Sequence, residues 1–165
     1  MTPRIVVMGV SGAGKSVIGA ALAARIGARF VDADSLHTPE AVAKMAGGTP
    51  LDDADRAPWL ARVGRALAEA PHPVVIACSA LRRRYRDAIR AAAGGPVLFL
   101  HLDGPREVIA GRLAARRGHY MPAALLDSQI AALEPPGPDE DHAVLDLRQD
   151  PGAIVAAAVA AAAGG

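Results

Sequence analysis

Gly9-Val10-Ser11-Gly12-Ala13-Gly14-Lys15-Ser16 fits the pattern G-x-x-x-x-G-K-[ST], and its flanks are the ones that pattern needs. Arg4-Ile5-Val6-Val7-Met8 before it is short, apolar and partly β-branched, which predicts a buried strand. Lys15 to Ile26 after it predicts a helix closed by Gly27. A glycine-rich turn between strand and helix aims successive backbone N–H groups, and the positive end of the helix dipole, at one point. Gly9, Gly12 and Gly14 permit the close backbone approach this requires, and Ser11, Ala13 and Val17 complete the cradle. Lys15 then reaches the outer phosphates and the Ser16 hydroxyl faces a magnesium ion. The stretch implies a nucleoside triphosphate site with a Mg²⁺ ion beside it.

The same alternation continues along the chain. Strands are expected at Arg29–Asp32, Pro73–Cys78, Val97–Leu102 and Val144–Asp146. Helices are expected at about 39–46, 55–70, 81–93, 105–117 and 122–134, with a last helix capped by Asp150 and Pro151. Such β-α alternation implies an α/β fold, a parallel five-stranded sheet flanked by helices, in a single domain over residues 1–165. In open sheets of this kind the ligand lies beyond the carboxyl ends of the strands.

Composition narrows the class further. A net charge of +1 gives no electrostatic case for a nucleic-acid or membrane partner. Aromatics make up only 3%, so few rings are available to stack on bases. One cysteine, Cys78, excludes an internal disulfide and agrees with a reducing cytoplasm. The amino end runs straight into strand one, and the apolar stretch Ile154–Ala163 is too short to span a bilayer. The five histidines show no metal-ligand spacing.

Beyond the glycine-rich turn, three groups of residues carry chemistry. Asp32 and Asp34, two apart at a strand end, would face one side of an extended segment. One carboxylate near the metal and one near an acceptor hydroxyl is what phosphoryl transfer to an alcohol needs. Turn acids remain the alternative. Strand three ends in Cys78-Ser79 rather than in an aspartate, which moves the metal-facing role to Asp32. Arg82 and Arg86, four apart on one predicted helix, could clamp a substrate carboxylate, or form part of a solvated basic face with Arg83 and Arg84. Arg112, Arg116, Arg117 and His119 form a second basic group that could neutralise a transferring phosphoryl group or simply complement a helix C-terminus.

Larger blocks are distinctive: Asp32-x-Asp34-x-Leu36-His37, Lys44-Met45, Pro50-Leu51-x-Asp53-x-Asp55-Arg56-x-Pro58-Trp59-Leu60, Cys78-Ser79-Ala80-Leu81-Arg82, Tyr85-Arg86-Asp87, and Ser128-Gln129 with Leu133-Glu134. In these the chain resembles the small gluconokinases of the phosphate-loop kinase superfamily, relatives in fold of shikimate and adenylate kinases. The resemblance runs from Arg4 to about Asp146. It implies transfer of the ATP γ-phosphoryl group to the 6-hydroxyl of D-gluconate, a helical substrate insertion near 37–65, a lid near 116–136, and dimer formation. It also implies roles: Asp34 as base, His37, Arg56, Arg82, Arg86 and His119 around the sugar acid, and Arg112 and Arg116 over the phosphates. Departures from the family pattern are Ala33 for Gly, Thr38 for Pro, Ala41 for Asn and Arg82 for Lys. Another small-molecule kinase of the superfamily is the alternative. A guanine-reading switch is the other class considered, and the absence of any asparagine and of an Asp-x-x-Gly segment argues against it.

Overall fold

The computed structural model describes residues 4–71, 73–115 and 123–164. Five strands, β1 (Arg4–Met8), β2 (Arg29–Asp32), β3 (Val74–Ala77), β4 (Leu98–Asp103) and β5 (His142–Asp146), form one sheet in the order β2-β3-β1-β4-β5. Every neighbouring pair is parallel, with Val6 opposite Ile76 on one side and Phe99 on the other. β1 is therefore central, and the turn that leaves it opens at the middle of the sheet's carboxyl edge.

Alternation along β1 explains how both faces are covered. Ile5 and Val7 join a core with Leu98 and Leu100, against α1 (Lys15–Ile26), α5 (Arg106–Ala115) and α7 (Pro151–Gly164). Val6 and Met8 point the other way, into a second core with Ile76 and Phe99 beneath α3 (Asp53–Glu69) and α4 (Arg83–Ala93). β1 after Arg4 and the whole of β3 are apolar because both faces are buried there. On the second side, α3 and α4 approach closely at Gly64, where a Cβ would lie 2.3 Å from the Ala92 Cβ.

Local chemistry sets the helix ends. Gly27 adopts φ 68° and donates its N–H to the Ala23 carbonyl, closing α1 where expected. α2 (Pro39–Ala46) starts at Thr38, whose hydroxyl accepts the Ala41 N–H at 3.1 Å. α3 starts two residues earlier than expected because Asp52 and Asp55 form a reciprocal cap. Asp55 N–H donates to Asp52 at 2.8 Å and Asp52 N–H donates to Asp55 at 3.0 Å. α4 starts two residues late. The Leu81 carbonyl accepts the Glu134 N–H at 2.7 Å instead of a helical N–H, and Ala80 takes a φ of 45°, unusual for a residue with a Cβ. α6 (Ala123–Ala132) then leads into the loop that supplies Glu134. Among the described residues, no helix is long and apolar enough to cross a membrane.

Candidate functional site

A cleft of about 1000 Å³ lies beyond the carboxyl ends of β1, β2 and β3. Its floor is the turn Gly9–Ser16. Gly12 and Gly14 hold φ values of 85° and 96°, conformations that a side chain resists. A Cβ on Gly12 would also lie 2.7 Å from Leu113 Cγ, so the turn can pack on α5 only as glycine. Gly9, at φ 151°, donates its N–H to the Ser79 carbonyl at 3.3 Å, and buried Ala13 donates to the Val10 carbonyl at 3.2 Å. The remaining amides meet the positive end of α1, whose first turn carries no acidic side chain. The Lys15 ammonium donates to the Val10 carbonyl at 3.1 Å, which curls it back over the turn. Val17 stands exposed at the rim.

Ser16 and Asp32 meet as the sequence suggests. The Ser16 hydroxyl donates to Asp32 Oδ2 at 2.7 Å, and both line the cleft. A hydroxyl and a carboxylate side by side form an all-oxygen donor pair suited to Mg²⁺, so the residues fit that ion. Asp34 reaches the cleft by a different route from the expected extended one. Ala33–Leu36 is a 3-10 turn, and Asp32 caps it by accepting the Asp34 N–H at 3.0 Å. Both acids line the cleft nonetheless.

His37 and Arg56 line the same cleft. The His37 ring stacks on Trp59 at 4.3 Å between centroids, and the Trp59 indole N–H donates to the Ala33 carbonyl at 2.7 Å. Trp59 is thus a packing anchor that also supplies wall surface. Burial, opposed by Asp34 and aided by Arg56, holds the His37 imidazole below its ordinary value. Its Nδ1 has no hydrogen-bond partner among the described residues. Lys44 pairs with Asp55 at 2.5 Å and ties α2 to α3.

The arginine clamp expected from Arg82 and Arg86 does not form. Arg82 is the residue before α4, half-buried and outside the described cleft lining. Arg86 is fully buried and its guanidinium is spent. Nε and Nη2 donate to Glu140 at 2.7 and 3.1 Å, Nη1 to the Ala80 carbonyl at 2.8 Å, and Nη2 to the Glu134 carbonyl at 2.8 Å. It is a structural rivet rather than a substrate ligand. Arg83 and Arg84, read as surface cations, pair with Asp139 and Asp53. Arg112 lines the cleft and also donates to the Leu147 carbonyl. Arg116 and His119 lie outside the described residues.

Gln129 in α6 is a polar cleft residue to which the sequence assigned no role. Its Oε1 accepts the Ser11 N–H at 2.8 Å and its Nε2 donates to the Ser11 hydroxyl at 3.1 Å. One amide thus holds the backbone and side chain of a phosphate-turn residue. The two residues are far apart in sequence, and no spacing rule connects them. Met45, Pro50, Leu51 and Leu125 supply apolar wall, and two of the exposed apolar side chains, Met45 and Leu125, are thereby explained.

Comparison with known proteins agrees with this geometry. A family model described as AAA domain matches residues 5–136. A gluconokinase from Gluconobacter oxydans (strain 621H) is 50% identical over 144 residues, covering 85% of this chain and 80% of that one. The crystal structure of a gluconokinase from Sinorhizobium meliloti 1021 superposes with a TM-score of 0.89 at 46% identity, covering 98% of this chain and 92% of the other. Shikimate kinase from Aquifex aeolicus shares the fold alone, with a TM-score of 0.60 at 17% identity over 98% and 96% of the two chains. A phosphate-binding turn, a pair of aspartates and a shared cleft, carried on a chain this similar to enzymes of that name, make it a member of the gluconokinase family of phosphate-loop kinases.

Proposed function

We propose that this chain transfers the γ-phosphoryl group of ATP to the 6-hydroxyl of D-gluconate, giving 6-phospho-D-gluconate and ADP. The observation that carries the proposal is the one cleft lined together by the phosphate turn, Asp34, His37 and Arg56. Within residues 11–16, the amides of Gly12, Gly14, Lys15 and Ser16, with the Lys15 ammonium, grip the triphosphate, since the Ser11 and Ala13 amides bond Gln129 and Val10, and Arg112 lines the same cleft. Ser16 and Asp32 would hold Mg²⁺, which would supply charge neutralisation for the transferring phosphoryl group. Asp34 orients the acceptor hydroxyl and takes its proton. Arg56 binds the carboxylate of the acid, and His37, which lines the same cleft, contacts the sugar chain.

The segment 37–65 acts as the substrate-side insertion and 116–136 as the lid. Arg116 and His119 belong to that lid, where they would close over the γ-phosphate and exclude water. A cytoplasmic location belongs to the same reading, and the dimer formation common in the family is checked by sedimentation.

The test is ADP release with ATP and Mg²⁺ on gluconate, shikimate and nucleoside monophosphates in parallel. Gluconate is expected to be turned over with the highest kcat/KM. Faster turnover of shikimate or of a nucleoside monophosphate would overturn the assignment. Shikimate-type chemistry is the weaker reading, because the shikimate kinase likeness is confined to fold.

A further inference from the structure

Arg56 is not left to solvent on the cleft wall. Its Nη1 donates to the Tyr85 hydroxyl at 3.2 Å, and that hydroxyl donates onward to Asp53 Oδ1 at 2.9 Å. The Tyr85 ring also lies 5.4 Å from the Arg56 guanidinium, and Arg84 approaches the same ring at 5.2 Å. Arg84 in turn fixes Asp53, donating from Nε at 2.9 Å and standing 2.8 Å away at Nη2. Asp53 and Arg56 themselves are 3.7 Å apart, so the hydroxyl, not a direct ion pair, makes the closer contact.

We propose that Tyr85 and Asp53 are positioning residues that set the Arg56 guanidinium for the carboxylate of the acceptor. The proposal rests on the reading of Arg56 as the carboxylate ligand. The physical need is entropic. An unsupported arginine loses rotamer freedom each time it clamps a ligand, whereas one already held loses less on binding. Arginine has five N–H groups in a fixed fork, so giving one to Tyr85 leaves the others for a carboxylate. A purely structural role fits less well. Asp53 and Arg84 are more than half exposed, and ion pairs in that setting add little to stability. A network that contributes little to the fold, yet fixes a cleft cation, has its effect in substrate affinity.

The test is Tyr85→Phe, which keeps the ring and removes only the hydroxyl. KM for gluconate is expected to rise about tenfold, the usual size of a hydrogen bond to a charged group. KM for ATP, kcat at saturating gluconate and the melting temperature are expected to stay near wild type. In an Arg56→Ala background, which by itself raises the gluconate KM, adding Tyr85→Phe is expected to change nothing further. An unchanged gluconate KM in Tyr85→Phe, with Arg56→Ala impaired, would overturn the positioning role and leave the Arg56 assignment standing. A parallel rise in the ATP KM, or additive effects in the double variant, would also overturn it. An unchanged gluconate KM in Arg56→Ala would remove the carboxylate assignment, and the proposal with it.

Discussion

Glu140 closes two hydrogen bonds on the Arg86 guanidinium, at 2.7 Å from Nε and 3.1 Å from Nη2, with both side chains out of solvent. Arg90 reaches the same carboxylate from the next turn of α4. The carboxylate also accepts the Gly137 N–H at 2.9 Å, so it locks the loop after α6 onto α4. Removing Arg86 takes two hydrogen bonds from a carboxylate that is out of solvent and leaves it to Arg90 and Gly137. Arg86→Ala is expected to cost about 3–5 kcal/mol of stability, read by urea denaturation followed by circular dichroism.

The same carboxylate gives the protein an acid limit. Burial alone would raise the Glu140 pKa, but the hydrogen bonds from Arg86, Arg90 and Gly137 outweigh it, and the value falls from its ordinary 4.5 to about 2. A depressed carboxyl pKa contributes stability that is complete above the unfolded value and is lost as pH falls towards the folded one. Unfolding free energy is therefore expected to drop between about pH 4.5 and 2. Glu140→Gln, less stable at neutral pH, should show a flatter dependence across that window. An unaltered slope in the variant would assign the acid limb to other carboxylates.

Asp34 is the group assigned to the acceptor proton. Asp34→Asn retains size and hydrogen-bonding capacity but not basicity, and is expected to lower kcat by about 10²–10⁴. Steady-state kinetics with gluconate varied will separate this from a binding defect, which would raise KM and leave kcat intact.

Lys15 places the one ammonium of the phosphate turn. Lys15→Ala is expected to reduce kcat by about 10²–10³, the usual cost of losing a donor aimed at developing charge. Its circular dichroism and melting temperature should stay close to wild type. Near-normal turnover would remove the nucleotide assignment.

Gly64 lets α3 and α4 touch. A Cβ there would meet the Ala92 Cβ at 2.3 Å and the Ile89 carbonyl oxygen at 2.7 Å, neither of which can swing aside. Gly64→Ala is expected to destabilise by about 1–3 kcal/mol despite alanine's better helix propensity. A gain in melting temperature would show that the two helices part without penalty.

The strand, turn and helix around residues 4–27 were readable because glycine punctuation marks both ends of α1 and the apolar run before it has no other fold. Elsewhere, misreadings arose where local spacing met a distant partner. Arg82 and Arg86 look like neighbours on one helix face. The helix begins only after Arg82, because Glu134 and Arg86 take carbonyls of the preceding turn. Asp32 and Asp34 look extended, yet the Asp32 side chain folds back on the Asp34 amide and starts a 3-10 turn. Gln129 and Tyr85 act through residues that only the tertiary fold brings close. Motif chemistry was legible where the chain is contiguous, and pairings across the sheet's carboxyl edge were not.

Cys78, the single cysteine of the chain, borders the cleft and yet is 2% exposed. Burial pushes its thiol up to about 12, so almost none of it exists as the thiolate that attacks peroxide or alkylating reagents. Catalysis by this protein should therefore survive oxidants that silence enzymes with a reactive sulfur at their centre. A warhead compound built to capture sulfur in this cleft would find almost no thiolate there.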